Sequence, residues 1–267
     1  MHNKIISVKN EHIKSVVRLR DRHERDKTGL TIVEGVREIE RAIESLCHFK
    51  EFYICNELLQ QQDKQILKNI YSLKADMYET TKEVFGKIVY GDRQDGILGV
   101  GQPKKYSLKD IKDKKNSFLF VVEGVEKPGN LGAMLRTCDA VGIDGVIVCD
   151  EKTDIFNPNV IRSSLGTVFT NKVIVSSSAE TFEYLKSRNM KICAATPHVE
   201  TLYTDVNLKG PLAMAVGSEE NGLSDFWMKN STVKIKIPMK GKADSLNVST
   251  SAAIVLYEAL RQRNLFS

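Results

Sequence analysis

Phe118-Leu-Phe-Val-Val-Glu-Gly-Val-Glu-Lys-Pro-Gly-Asn-Leu-Gly-Ala-Met-Leu-Arg136 opens the half of the chain that decides its fold. The apolar run Phe118 to Val122 reads as a strand buried on both faces. A Gly/Pro corner follows, then a helix from Leu131 to Val141 and a second apolar strand at Gly145 to Cys149. Working outward, strands are expected at Val173 to Val175, Lys191 to Ala194, Leu212 to Val216 and Val233 to Ile237. Helices are expected at Asn159 to Leu165, Ala179 to Arg188, Ser224 to Lys229 and Val248 to Arg263. Near-continuous apolar strands alternating with helices predict an α/β fold, a parallel sheet with helices on both faces.

Upstream, Thr31-Ile-Val-Glu-Gly35 reads as a strand and turn, and Val36, Ile39, Ile43 and Leu46 fall on one face of a following helix. A strand at Phe52 to Cys55, a helix at Asp63 to Ser72, an extended piece at Asp76 to Glu79, a short helix at Thr81 to Phe85 and a strand at Ile97 to Val100 complete a small α/β sandwich. The polar, lysine-rich segment between Gly101 and Asn116 has the composition of a connection. The expected division is therefore a first domain over 1–103, a linker over 104–115 and a second domain over 116–267.

The composition, 42% apolar and 27% charged over 267 residues, is that of a folded globular chain long enough for two cores. No apolar run approaches the roughly 20 residues a membrane helix needs, and Met1 to Asn10 lacks the pattern of a secretory signal. A cytoplasmic protein is the default. The five cysteines (Cys47, Cys55, Cys138, Cys149, Cys193) contain no C-x-x-C pair and are expected reduced and buried. His2, His12, His23, His48 and His198 show no metal spacing, so no metal is expected.

The net charge of +5 is uneven: residues 1–115 carry 23 Lys+Arg against 18 Asp+Glu, and the remainder is balanced. Lys14, Arg18, Arg20, Arg22, Arg25 and Lys27 form the densest basic region, of the kind that neutralises nucleic-acid phosphates. With Asp21, Glu24 and Asp26 interspersed, the segment alone reads more readily as a solvated helix face.

Three corners of the second domain are richer in Gly, Pro and small polar residues than packing requires. Each follows a predicted strand, where open parallel sheets bind ligands. The first ends in Asn130 and leads to Arg136; Asn130 is placed to cap the coming helix. The second is Met214-Ala-Val-Gly-Ser-Glu-Glu-Asn-Gly-Leu223, with Glu219 projecting from a turn between Gly217 and Gly222. The third, Ile237-Pro-Met-Lys-Gly-Lys-Ala-Asp-Ser-Leu-Asn-Val-Ser249, sets Ser245 and Asn247 before a long helix. Each has a bland explanation in capping, turn formation or a surface ion pair of Arg136 with Asp139.

Taken together, Asn130-Leu-Gly-Ala-Met-Leu-Arg136, Gly217-Ser-Glu-Glu-Asn-Gly-Leu223, and Ile237-Pro-Met followed by Ser245-Leu-Asn-Val-Ser249 closely resemble the SpoU (TrmH) branch of the SPOUT RNA methyltransferases, in order over 118–263. Asn157-Pro-Asn-Val-Ile-Arg-Ser-Ser-Leu-Gly166 is similar to that family's connecting helix. Ile32-Val-Glu-Gly-Val-Arg-Glu38 and the α/β order of the first domain resemble the ribosomal-protein L30e-like substrate-binding module often fused to it.

The resemblance implies a deep trefoil knot, with the segment Ile237 to Ser249 passing through a loop, although knots are rare in folds generally. It implies S-adenosyl-L-methionine as cofactor, lined by Thr196, Gly217, Ile237 and Leu246. It also implies methyl transfer to a ribose 2′-hydroxyl, with ribosomal RNA favoured over transfer RNA, and a homodimer through the catalytic domain. Asn130, Arg136, Glu219, Ser245 and Asn247 take the catalytic roles: Asn130, Ser245 and Asn247 position ribose and arginine, and Glu219 orients the arginine or the loops. An unactivated hydroxyl is a poor nucleophile, and the family gives its activation to Arg136. Guanidinium carries no acceptor, so the proton leaves either to a deprotonated Arg136 or to an RNA phosphate that Arg136 holds; the second is chemically easier.

Three rival readings are a non-enzymatic RNA-binding protein, a SPOUT enzyme acting on a base or on a transfer-RNA ribose, and a Rossmann nucleotide-binding enzyme. The set Asn130, Arg136, Glu219, Ser245 and Asn247 speaks against the first, and the pairing of Asn130 with Arg136 favours ribose over base. Gly99-Val-Gly101 lacks the third glycine and the helix that the Rossmann fingerprint requires.

Overall fold

The computed structural model describes residues 3–91 and 95–263; His2 lies outside them. Contacts divide the chain into two units, Met1–Lys104 with Phe156–Thr170, and Lys105–Ile155 with Asn171–Ser267.

In the first unit the elements run β1 (Asn3–Ile5), α1 (Glu11–Arg18), α2 (Arg22–Thr28), β2 (Thr31–Glu34), α3 (Val36–Glu44), β3 (His48–Ile54), α4 (Gln65–Tyr71), β4 (Asp76–Thr80), α5 (Lys82–Ile88) and β5 (Ile97–Gln102). The strands form one sheet in the order β1-β4-β3-β5-β2. β3 begins ahead of the expected Phe52 because His48 and Lys50 face solvent, which hides the strand from a count of apolar residues. Leu46 was expected on the buried stripe of α3 but follows the end of that helix, at φ +61° and 76% exposed.

The basic cluster is spread over α1, α2 and the turn between them. Arg25 is buried and donates to the carbonyls of Leu19 (2.9 Å) and Arg20 (2.8 Å). Arg20 in turn donates to those of Lys87 and Val89. Lys14, Arg22 and Lys27 pair with Glu11, Asp26 and Glu24 on their own helices. Most of these charges therefore serve local structure.

The stretch 156–170 belongs to this unit. Its helices α7 (Pro158–Ser163) and α8 (Thr167–Thr170) pack on β2 and α3, burying Val160, Ile161, Val168 and Phe169. Thr31 Oγ1 donates to the Phe156 carbonyl at 2.8 Å, and Arg41 donates to that of Leu165.

The second unit contains β6 (Phe118–Glu123), α6 (Pro128–Val141), β7 (Gly145–Cys149), β8 (Val173–Ser176), α9 (Ser178–Ser187), β9 (Lys191–Ala195), β10 (Leu212–Val216), α10 (Asp225–Asn230), β11 (Val233–Ile235) and α11 (Val248–Gln262). Its six strands are all parallel, in the order β11-β9-β10-β6-β7-β8. Alternate side chains define the two faces. Leu119, Val121, Ile147, Cys149, Ala213 and Ala215 pack with Leu185 of α9 and Trp227 of α10 in one core cluster. On the other face α11 packs on α6 and β10. The lysine-rich segment before β6 is tied in: Tyr106 bridges to Ile174, and Ile111 is buried in the same core.

The β9–β10 connection, residues 196–211, is bound at two places. Tyr203 N donates to the Lys236 carbonyl (3.0 Å) and Lys236 N to that of Thr201 (2.9 Å). Farther on, Leu208 N donates to Gln262 Oε1 (2.8 Å), and Gln262 Nε2 donates to the Val206 carbonyl (3.1 Å) at the end of α11. No helix among the described residues is long and apolar enough to cross a membrane.

Candidate active site

Strand order reverses between β6 and β10. They are neighbours in space, paired from Leu212↔Phe118 to Val216↔Val122, yet far apart in sequence. Connections from adjacent strands that leave in different directions open a crevice at the strands' carboxyl ends. The corner after β6 and the turn after β10 stand on its two sides.

The first corner differs from the expectation in one respect. α6 starts at Pro128 with Lys127 in the cap position, so Asn130 lies inside the first turn and caps nothing. Proline suits the first helical position, because the N–H it lacks would have no partner there and its φ is already helical. The amide of Asn130 is thereby released for another use.

That use is a directed chain of hydrogen bonds. Asn130 Nδ2 donates to Glu219 Oε1 at 2.5 Å, and Asn247 Nδ2 donates to Asn130 Oδ1 at 3.1 Å. Asn247 Oδ1 then accepts from Ser249 N (2.9 Å) and Ser249 Oγ (2.6 Å), so Asn247 caps α11 as the sequence suggests. An ionised carboxylate only accepts. Glu219 therefore fixes the orientation of both amides, and the three corners are joined through their side chains.

Glu219 is half-buried, and burial is the largest single influence on its carboxyl, pushing it up. The Asn130 amide and the backbone N–H groups of Glu219, Glu126 and Lys127 together outweigh burial, and hold it below its ordinary value. Glu126 N lies 3.4 Å from Glu219 Oε2.

Arg136 lies on α6 six residues after Asn130, about 9 Å along the axis. Its side chain is exposed and makes no hydrogen bond or ion pair with any described residue, so the surface pairing with Asp139 is not formed. Ser245 is exposed two residues before Asn247, likewise without a bonded partner among the described residues. Asn130, Glu219 and Asn247 are thus brought into contact, whereas Arg136 and Ser245 are attached to the same elements with free side chains.

Thr196, Gly217 and Ile237 each follow one of three adjacent strands. The register Ala215↔Ala194, extended by two, sets Gly217 beside Thr196; Ile235↔Ala195 sets Lys236 beside Thr196 and Ile237 one step beyond. Thr196 N donates to the Ile235 carbonyl at 2.9 Å. Gly217 is buried where a Cβ would meet the carbonyl carbon of Gly222 at 1.9 Å, so only glycine fits. Ser218 and Gly222 exchange both backbone hydrogen bonds (3.0 and 3.1 Å) to close the turn. Leu246 is 37% exposed, directly before Asn247.

Sequence reasoning did not single out Ser249, which bonds the Asn247 carboxamide, or Glu123, whose carboxylate accepts from Ser224 N and Ser224 Oγ at 2.7 Å each. Glu123 ends an otherwise apolar strand, and that polar residue at a buried position was the available signal. Among the described residues no group of three or more His, Cys, Asp or Glu side chains is arranged to hold a metal. All five cysteines are buried and form no disulfide.

The SpoU rRNA Methylase family matches residues 117–257, and the MRM3-like substrate binding domain matches residues 10–99. The 23S rRNA guanosine 2′-O-methyltransferase RlmP of Bacillus subtilis is 27% identical over 253 residues, 95% of this chain and 97% of its own length. A crystal structure of an RNA 2′-O ribose methyltransferase is 37% identical with a TM-score of 0.86, covering 97% of this chain and 98% of that one. The AdoMet-bound rRNA methyltransferase of Sinorhizobium meliloti, 24% identical, shares the fold with a TM-score of 0.89 over 97% of both chains.

Proposed function

Since this chain belongs to the SpoU rRNA methylase family, we propose that it transfers a methyl group from S-adenosylmethionine to a ribose 2′-hydroxyl of ribosomal RNA. The observation that carries this reading is the chain Glu219–Asn130–Asn247, which locks three corners together while Arg136 stays unpaired on the helix that bears Asn130. Enzymes of this kind need a rigid frame and one free group that meets the substrate.

The residues fit the cofactor. Thr196, Gly217 and Ile237 stand side by side past the ends of β9, β10 and β11, with backbone groups and an apolar side chain on offer and no Cβ at 217. Leu246 supplies a further apolar contact. When bound, S-adenosylmethionine supplies a methyl group already attached to a sulfonium leaving group.

What this chain's own residues do is align the acceptor. Arg136 holds an RNA phosphate, and that phosphate helps to take the 2′-hydroxyl proton, so the guanidinium need not serve as an acceptor it is not built to be. Asn130 and Asn247 are oriented by Glu219, and Ser245 is free to meet the ribose. A threaded, trefoil-knotted arrangement of 237–249 is supported by the two attachments of the 196–211 connection, to Lys236 and to Gln262. The first domain receives the structured RNA, in keeping with its match to a substrate binding domain and with the basic excess of residues 1–115. A ribosomal RNA substrate is in keeping with a cytoplasmic protein. A homodimer through the catalytic unit is supported by exposed Leu246 and Tyr257, at 37% and 46% exposure, at the start and on the outer face of α11.

The test is incubation with methyl-labelled S-adenosylmethionine and separated ribosomal and transfer RNAs. Label in alkali-resistant linkages of ribosomal RNA is expected. Label on a base, or in transfer RNA alone, overturns the proposal.

A further inference from the structure

Behind the crevice, on the side of the sheet covered by α9 and α10, the polar side chains at the strand ends form a second network, buried at Glu123, Ser178 and Trp227 and reaching the surface at Ser224 and Asp150. Glu123 is 8% exposed; its two carboxylate oxygens take the backbone N–H and the hydroxyl of Ser224, each at 2.7 Å. Ser178 Oγ lies 3.3 Å from Glu123 Oε1 and 2.5 Å from Asp150 Oδ2, and accepts from Trp227 Nε1 at 2.9 Å. Ser178 is buried, and Trp227 is fully so.

The register makes this network relevant to the site. Val122 pairs with Val216, so Glu123 stands beside Gly217, the first residue of the β10 turn. Ser224 is the residue directly after that turn's closing stretch, at the cap of α10, and its own side chain makes no capping bond. Glu123 therefore grips the far end of the turn at 217–223, while Asn130 and Glu126 N hold its tip through Glu219. Both grips come from one continuous segment: the end of β6, the corner after it and the first turn of α6.

We propose that Glu123 is the positioning residue of the cofactor turn: by fixing Ser224 it sets the backbone path from Gly217 to Leu223 in the shape that receives S-adenosylmethionine. The proposal rests on the reading that this turn walls the cofactor site. Glu123 touches neither cofactor nor RNA; it acts through the turn. A carboxylate is required because both of its oxygens must accept, and a carboxamide at the same place turns a donor toward a donor. Charge-assisted hydrogen bonds are among the stronger ones, which suits a residue that must hold a glycine-bearing turn against its own freedom.

The experiment compares the full chain with Glu123→Gln and with the milder Ser224→Ala, which keeps the backbone donor and the fold. S-adenosylmethionine affinity is measured by calorimetry, and amide hydrogen exchange is followed at 217–224 with and without cofactor. In the unsubstituted protein the cofactor is expected to slow exchange at 217–222. Both variants are expected to exchange faster there without cofactor and to bind it more weakly, by about tenfold for Glu123→Gln and severalfold for Ser224→Ala. Methyl transfer at saturating cofactor should fall much less than affinity does, a split that a general loss of fold would not give. If the unsubstituted turn gains no protection, the reading of the cofactor site fails. If it does gain protection and Ser224→Ala matches it in exchange and affinity, the role given to Glu123 is overturned, whether or not Glu123→Gln folds.

Discussion

Asn130 Nδ2 lies 2.5 Å from Glu219 Oε1, a contact across 89 residues of sequence that closes the crevice between β6 and β10. It joins a helix's first turn to a glycine turn, and the amide of Asn247 is built on top of it.

Replacing Asn130 tests that junction. Asn130→Ala removes a hydrogen bond to a charged acceptor and leaves Asn247 without its acceptor, at a cost of about 2 kcal/mol in stability. Asn130→Asp is expected to be worse, because it sets one carboxylate against another. Urea unfolding and transfer assays on the two variants check this order; an Asn130→Asp protein as stable and active as the original contradicts it.

Arg136→Ala removes a side chain that holds nothing in the fold. Unfolding and S-adenosylmethionine binding should both stay close to the original, while methyl transfer drops by roughly a hundredfold or more. Turnover near the original level removes arginine from the mechanism. Arg136→Lys retains a charge but not the two-pronged phosphate contact, and should recover only part of the loss.

The depressed carboxyl of Glu219 predicts a pH dependence. Its folded form holds the proton less tightly than the unfolded chain, whose value is near the ordinary 4.5. Unfolding at low pH therefore takes up a proton, and the stabilisation is present above that value and lost as pH falls through the folded one. The stability gap between the original protein and Glu219→Gln should be full at pH 7 and shrink below about 4.5. Denaturant titrations of both at several pH values read it directly; a gap that widens on acidification reverses the sign.

Gly217→Ala forces a methyl group to within 1.9 to 2.1 Å of Gly222 C, Gly222 O and Leu223 N. These are backbone atoms and cannot swing aside, so a cost of roughly 3 kcal/mol is expected, together with weakened S-adenosylmethionine binding. A calorimetric melt and a cofactor titration check both.

Much of the catalytic unit was legible because its strands are buried on both faces and read as plain apolar runs, such as Phe118 to Val122 and Leu212 to Val216. The first unit was harder. β3 alternates exposed and buried residues at its start, and β1 is only three residues long, so neither gives a sustained signal. In the site, Asn130, Glu219 and Asn247 could be named from motif spacing, but not their bonding order, which depends on strands far apart in sequence lying side by side. Sequence alone puts the start of α6 too late, because Pro128 reads as part of the corner, whereas a helix accepts proline in its first position. Glu123 escaped notice because its function depends on Ser224, 101 residues away.

The stretch 156–170 interrupts the methylase sequence yet packs on β2 and α3, so the chain passes between the two units three times. The substrate-binding unit is for that reason no detachable cassette. A shortened chain beginning at Lys105 would expose Val160, Ile161, Val168 and Phe169 to water and should clump unless those side chains are made polar. Exchanging this module between relatives would demand two matched splices, one near 104 and one spanning 156–170, which ties the inheritance of the first unit to that of the second.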